Sequence, residues 1–304
     1  MKKVVLSRRT AILLTLGAVL FVLFFLLPIS LSLFSSSSFG NVALIPIEGA
    51  ITTTSDTSFG QTSVSSADIV QFIEDAEADQ TIDAIVLEIN SPGGTPVASD
   101  EIAQAVKKAQ KPVIAVIKDI GASGGYWVAS ATDYIFANRM SITGSIGVIS
   151  SYLEFSGLLD KYDVRYERLV SGENKDIGSP FNKLNEQQRE LMQGKIDTLH
   201  EFFVEEVALN RDIPLEDVRS MATGEIFLGS EALQLGLIDE LGNLDDAKSY
   251  LQDTFGLASV DFIPYVKETG FFESLMGLAS SFSFTIGEGL GTILVKRDQN
   301  LFMI

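Results

Sequence analysis

Cysteine is absent from the sequence, and histidine occurs once, at position 200. The first absence excludes disulfides, a thiolate nucleophile and cysteine-based zinc sites. A single imidazole also excludes histidine-rich metal sites, so neither a metal nor another cofactor is expected. Cations are scarce: 22 Lys and Arg face 40 Asp and Glu, a formal net charge of −18. Four of those cations (Lys2, Lys3, Arg8, Arg9) lie in the first nine residues, leaving 18 basic against 40 acidic residues beyond them, a net of −22. Such a surface repels polyanions, and nucleic acid is not an expected partner.

Charge of either sign is missing from Thr10 to Phe34, 25 consecutive residues. About 20 apolar residues suffice for a helix to cross the bilayer, whereas the apolar stretch of a cleaved signal is about 7–15. The segment therefore reads as an uncleaved transmembrane anchor in the lipid bilayer. Cations stay on the cytoplasmic side, which places everything after Ser35 outside. The expected organisation is a cytoplasmic tail (1–9), an anchor (10–34), a polar linker (35–41), a folded domain (42–255) and a C-terminal segment (256–304). The expected location is the cell membrane, single-pass, with an extracytoplasmic domain. Within the last segment, 271–295 carries only Glu273 and Glu288 as charges and reads as an amphipathic or assembly-facing helix.

Beyond the linker, short apolar runs alternate with helical periodicity. Residues 42–51, 84–89, 112–117, 134–138 and 144–150 read as strands; 67–79, 98–109, 185–210 and 214–222 read as helices. The run "AIVLEI" is apolar on both alternating faces, as in a strand covered on both sides. Strand–loop–helix repetition argues for an α/β fold with parallel strands and crossover helices.

Two glycine-rich loops follow consecutive strands, "NSPGG" (90–94) and "GASGG" (121–125). Loops after neighbouring parallel strands emerge at one sheet edge, where sites form. "GASGG" fits G-x-S-x-G, a turn that exposes a serine hydroxyl, here Ser123. Backbone N–H groups of Gly93, Gly94 and Gly124 could then stabilise an oxyanion. A serine needs a base. His200 lies mid-helix among Met192, Ile196, Leu199, Phe203 and Val207; an α/β-hydrolase-type esterase would accept the order Ser123, Asp176, His200, but its histidine should sit on a loop after a late strand. That leaves lysine, which acts as a base only if its pKa of about 10.4 is lowered toward roughly 7–8. Spacing does not single out one lysine.

Six blocks in order, "VALIPIEGAI", "LEINSPGG", "DIGASGGYWVASATDYIFAN", "TGSIGVIS", "SGENKDIGSPF" and "GEIFLGSEALQLGLIDELG", resemble the membrane-anchored signal peptide peptidases of the SppA type. The resemblance covers most of 42–255 and implies a Clp/crotonase-like ββα superhelix. It places a nucleophile at Ser123 and a lysine base at Lys175, 52 residues later. It also places oxyanion amides at Gly93, Gly94 and Gly124, and a supporting hydroxyl at Ser145. The chain is similar to the short form, which implies a ring- or dome-shaped homo-oligomer with Lys175 serving a neighbouring subunit. Hydrophobic peptides such as signal-peptide remnants are the implied substrates. A Clp-type triad would put histidine about two dozen residues after the serine, where Gly147 stands. A strongly acidic exported domain is a poor host for acyl-CoA. The competing reading is a catalytically silent crotonase-like scaffold in membrane-protein assembly.

Overall fold

The computed structural model describes residues 16, 17, 19–22, 40–54 and 63–267. The chain divides into two units, 1–265 and 266–304, and only residues 266 and 267 of the second are described. The expected assembly helix over 271–295 and most of the expected anchor over 10–34 lie outside the described residues. Among the described residues no helix is long and apolar enough to cross a membrane.

Strands and helices alternate through the first unit. In order they are β1 (Val42–Glu48), β2 (Ala50–Thr52), β3 (Ser63–Ser65), α1 (Ser66–Ala78), β4 (Ala84–Ser91), α2 (Pro96–Lys108), β5 (Val113–Ala122), α3 (Gly124–Ser130), β6 (Tyr134–Ala137) and β7 (Ile142–Gly144). After these come α4 (Ser156–Lys161), α5 (Glu186–Arg211), α6 (Leu215–Met221), β8 (Ile226–Leu228), α7 (Gly229–Gln234), β9 (Glu240–Leu241), α8 (Leu244–Phe255) and β10 (Phe262–Pro264). One sheet runs β10-β1-β4-β5-β6-β9, with β7 beside β5 and β8 beside β7. All of its pairings are parallel except β7–β8. The α/β expectation therefore holds, with a central, mostly parallel sheet. The sheet also continues past residue 255, because β10 pairs with β1.

Alternation along the central strands explains their apolar runs. Ile85, Leu87 and Ile89 of β4, with Val113, Ala115 and Ile117 of β5, pack beneath α1, α2, α3 and the C-terminal half of α5. Ala84, Val86, Ile114 and Val116 face the other way, onto Ala247 and Leu251 of α8. Both faces are buried, so no polar alternation survives in the sequence.

Two expectations need correction. The strand expected over 112–117 continues to Ala122, because Lys118 and Asp119 are exposed residues inside a strand; Lys118 pairs with Glu88 of the adjacent strand at 3.3 Å. Charge in the middle of the run imitated a break. Conversely, the strand expected over 144–150 is only Ile142–Gly144. At Ser145 the backbone takes a left-handed φ of 51 and regular strand ends, although its N–H still donates to Glu225 O at 2.8 Å alongside β8.

Candidate active site

The second half of β5 carries the chain away from β6, which pairs only with Ile114–Ile117, to lie beside β7. It ends at Ser123, which has φ 52 and ψ −123. A side-chain-bearing residue held there costs about 1–3 kcal/mol and persists only where its surroundings fix it. Those surroundings are visible: the Ser123 N–H donates to Gly144 O at 2.8 Å, and its C=O accepts from Trp127 N–H at 2.9 Å. Helix α3 starts at the next residue, and all seven of its residues are buried. The serine therefore sits on a tight strand-to-helix turn whose geometry is set by β7 on one side and α3 on the other.

The loop after β4 is pressed against this turn. Gly93 has φ +106, and a Cβ there would stand 2.8 Å from both Gly124 N and Ser123 Cβ. A Cβ on Gly124 would come within 2.2 Å of Ser99 Oγ and 3.1 Å of Gly94 N. Both positions demand glycine, one for its backbone conformation and both for space. Ile51 bonds the loop on either side of Gly94, donating to Gly93 O at 2.9 Å and accepting from Thr95 N–H at 2.8 Å.

Of the three glycine amides expected at the site, two stand ready. The Gly93 N–H donates to Oγ of the fully buried Ser91 at 3.1 Å, so it is already committed. Neither the Gly94 nor the Gly124 N–H has an acceptor among the described residues. Ser91 was not legible as a site residue: within "NSPGG" it reads as a turn serine, and only the fold shows its hydroxyl turning the loop.

A cavity of about 260 Å³ opens here, bounded by Gly94, Ser99, Ser123, Gly124, Trp127 and Ser145, with Phe203 from α5 closing one side. Ser145 reaches it because of its left-handed φ of 51. Lys175 is not among its lining. That lysine lies exposed on the loop 171–181, its N–H bonded to Gly172 O at 3.1 Å. The fold of the chain thus brings Ser123, Gly94, Gly124 and Ser145 together and leaves Lys175 outside.

The neighbour of Lys175 is pinned. Asp176 receives Arg168 through Nε at 2.5 Å and Nη2 at 2.6 Å, and Asn182 Nδ2 at 3.1 Å. The Arg168 hydrogen bonds hold its carboxyl below the ordinary carboxylate range. Asp176 is therefore committed to Arg168. His200 stands in the middle of α5 with Nε2 shielded and without a hydrogen-bond partner, and it does not line the cavity. No Ser123–Asp176–His200 relay is assembled within the chain. Among the described residues no group of His, Asp and Glu is arranged to hold a metal ion.

Residues 105–258 match the model of peptidase family S49, a span that includes Ser123, Ser145 and Lys175. The chain is 33% identical over 241 residues to "Putative signal peptide peptidase SppA" of Enterococcus faecium, covering 78% of this chain and 70% of that protein. It is 32% identical over 232 residues to "Putative protease MJ0651" of Methanocaldococcus jannaschii, covering 76% and 74%. With "Protease 4" of Haemophilus influenzae it shares 32% identity over 209 residues, 68% of this chain and 33% of that longer protein. The chain belongs to peptidase family S49.

Proposed function

We propose that the protein is a membrane-anchored serine endopeptidase that hydrolyses hydrophobic peptides, such as signal-peptide remnants, through a Ser123–Lys175 dyad. The observation that carries this reading is the turn at Ser123, a strained serine beside two uncommitted amides at the edge of a cavity. Ser123 Oγ attacks the peptide carbonyl while neutral Lys175 Nζ takes the hydroxyl proton. The N–H groups of Gly94 and Gly124 receive the oxyanion, a contribution typically worth about 2.7–4 kcal/mol per donor. The C–N bond breaks, the ammonium of Lys175 protonates the leaving amine, and water releases the acyl group by the reverse proton path. Ser145 orients the lysine. The resemblance in motif order extends the fold reading to a Clp/crotonase-like superhelix, and the anchor over 10–34 keeps the extracytoplasmic domain beside its substrates.

Lys175 reaches Ser123 of a neighbouring subunit in a homo-oligomer. Support comes from its exposed position and from the segment that carries it. Ile149 and Leu169 are 90% and 96% exposed, and Leu153, Leu158, Tyr162 and Val164 are exposed as well. Exposed apolar residues recurring along one segment support a reading in which another chain covers it. Mixing inactive Ser123→Ala and Lys175→Ala subunits tests this. Restored peptide cleavage in the mixture is the expected result, and a mixture as inactive as its components would contradict a shared dyad.

A further inference from the structure

Trp127 and Pro96 have open space on two sides. One side is the cavity at Ser123; the other is a groove of about 310 Å³ that also takes in Val97, Asp100, Phe202 and Glu205. The groove is apolar yet open to water, with Val97 61% and Phe202 53% exposed. Its carboxylates are unevenly satisfied. Glu206 is paired with Lys107, whereas no cation among the described residues pairs with Asp100 or Glu205. The indole of Trp127 is itself only 6% exposed, stacks on Phe203 at 4.7 Å, and has an Nε1–H without an acceptor.

We infer that this groove is a subsite for a cationic side chain of the peptide substrate, adjoining the apolar stretch held at Ser123. The inference rests on the peptidase reading and deepens it. An anion would meet two uncompensated carboxylates. A purely apolar occupant would strip water from those carboxylates and return nothing. Lysine and arginine satisfy both halves of the groove: the methylene stem lies on Val97 and Phe202, and the charged head reaches Asp100 and Glu205. The aromatic walls add attraction for the cation. Signal peptides have this composition, a cationic segment abutting an apolar one. The shared wall at Trp127 and Pro96 places the two subsites side by side, so a lysine next to the apolar stretch would set where the chain is cut.

Trp127 is the sole tryptophan of the chain, so its emission reports occupancy of the groove directly. The experiment titrates full-length Ser123→Ala protein in detergent with a short leucine–alanine peptide carrying one lysine, or norleucine, at successive positions. Lysine at one position should tighten Kd about fivefold over norleucine, the size of an exposed ion pair with aromatic support. That advantage should shrink with added salt. It should vanish in Asp100→Asn/Glu205→Gln and persist in Glu190→Gln, whose exposed carboxylate lies outside the groove. Equal Kd for lysine and norleucine at every position overturns the subsite. So does a lysine advantage that is the same at all positions, or one that survives the double substitution, since either is a diffuse effect of the acidic surface. Because binding is read without the Ser123 hydroxyl, retained cleavage by Ser123→Ala would count against the peptidase roles alone.

Discussion

The proposed nucleophile and the proposed base are held by opposite kinds of chain. Ser123 stands between a strand of the main sheet and a helix whose every residue is buried, pressed against the glycine loop that follows β4. From Ile149 to Lys175, in contrast, nearly every residue is exposed, the only helix is the six-residue α4, and Lys175 lies in a loop stapled by one ion pair. One half of the proposed chemistry is prebuilt by the core of the chain itself. The proposed other half sits on an exposed segment without a core of its own.

Substitutions should divide along that line. Lys175→Ala should reduce peptide turnover at least about a thousandfold, roughly 4 kcal/mol in the barrier, while leaving the thermal transition unchanged. A fall in melting temperature alongside the activity would mean the lysine is structural and would break the contrast. Next in size, Leu87→Ala removes a fully buried side chain beneath the helices and should cost about 2–5 kcal/mol of stability by denaturant unfolding. Leu169→Ala, almost wholly exposed, should change the stability of the separated subunit little and weaken assembly instead.

Ser91→Ala should lower kcat about tenfold at similar KM, because it frees the Gly93 N–H and loosens the loop that aims Gly94. Binding of a peptide aldehyde, which develops an oxyanion, should weaken in parallel; a change confined to KM would assign Ser91 to substrate binding.

The smallest effect concerns pH. The Asp176 carboxyl is held below its ordinary value by Arg168, so its support for the Lys175 loop is present at neutral pH and lost as pH falls through the folded value. The pair is exposed, and the effect is correspondingly modest. Limited proteolysis of the loop should quicken on acidification in the unsubstituted protein. In Arg168→Gln it should already be fast at neutral pH; equal rates in the two proteins there would remove the staple from the account.

How much was legible in the sequence follows the same division. The buried half could be read: apolar runs gave the central strands, and two glycine loops at one sheet edge pointed to Ser123, Gly93, Gly94 and Gly124 as candidates. Errors arose where a local cue competed with tertiary structure. Lys118 and Asp119 looked like a strand end, but both side chains reach solvent and Glu88 lies beside Lys118, which makes charge tolerable within β5. Residues 145–150 looked like a strand, but the left-handed backbone at Ser145 turns them toward the cavity. The commitment of the Gly93 amide to Ser91 depends on a loop conformation that the letters do not encode. Lys175 could be named only by resemblance, since nothing local distinguishes an exposed loop lysine from any other.

The central claim is that Ser123 is a nucleophile whose reactivity depends on Lys175. It is tested most directly by treating the full-length protein with an acylating peptide inhibitor and mapping the modified residue by mass spectrometry, with and without Lys175→Ala. The account predicts a single adduct on Ser123 that forms rapidly in the unsubstituted protein and is nearly lost in the variant. Labelling of Ser123 at an equal rate in both proteins, or an adduct on another residue, would contradict it.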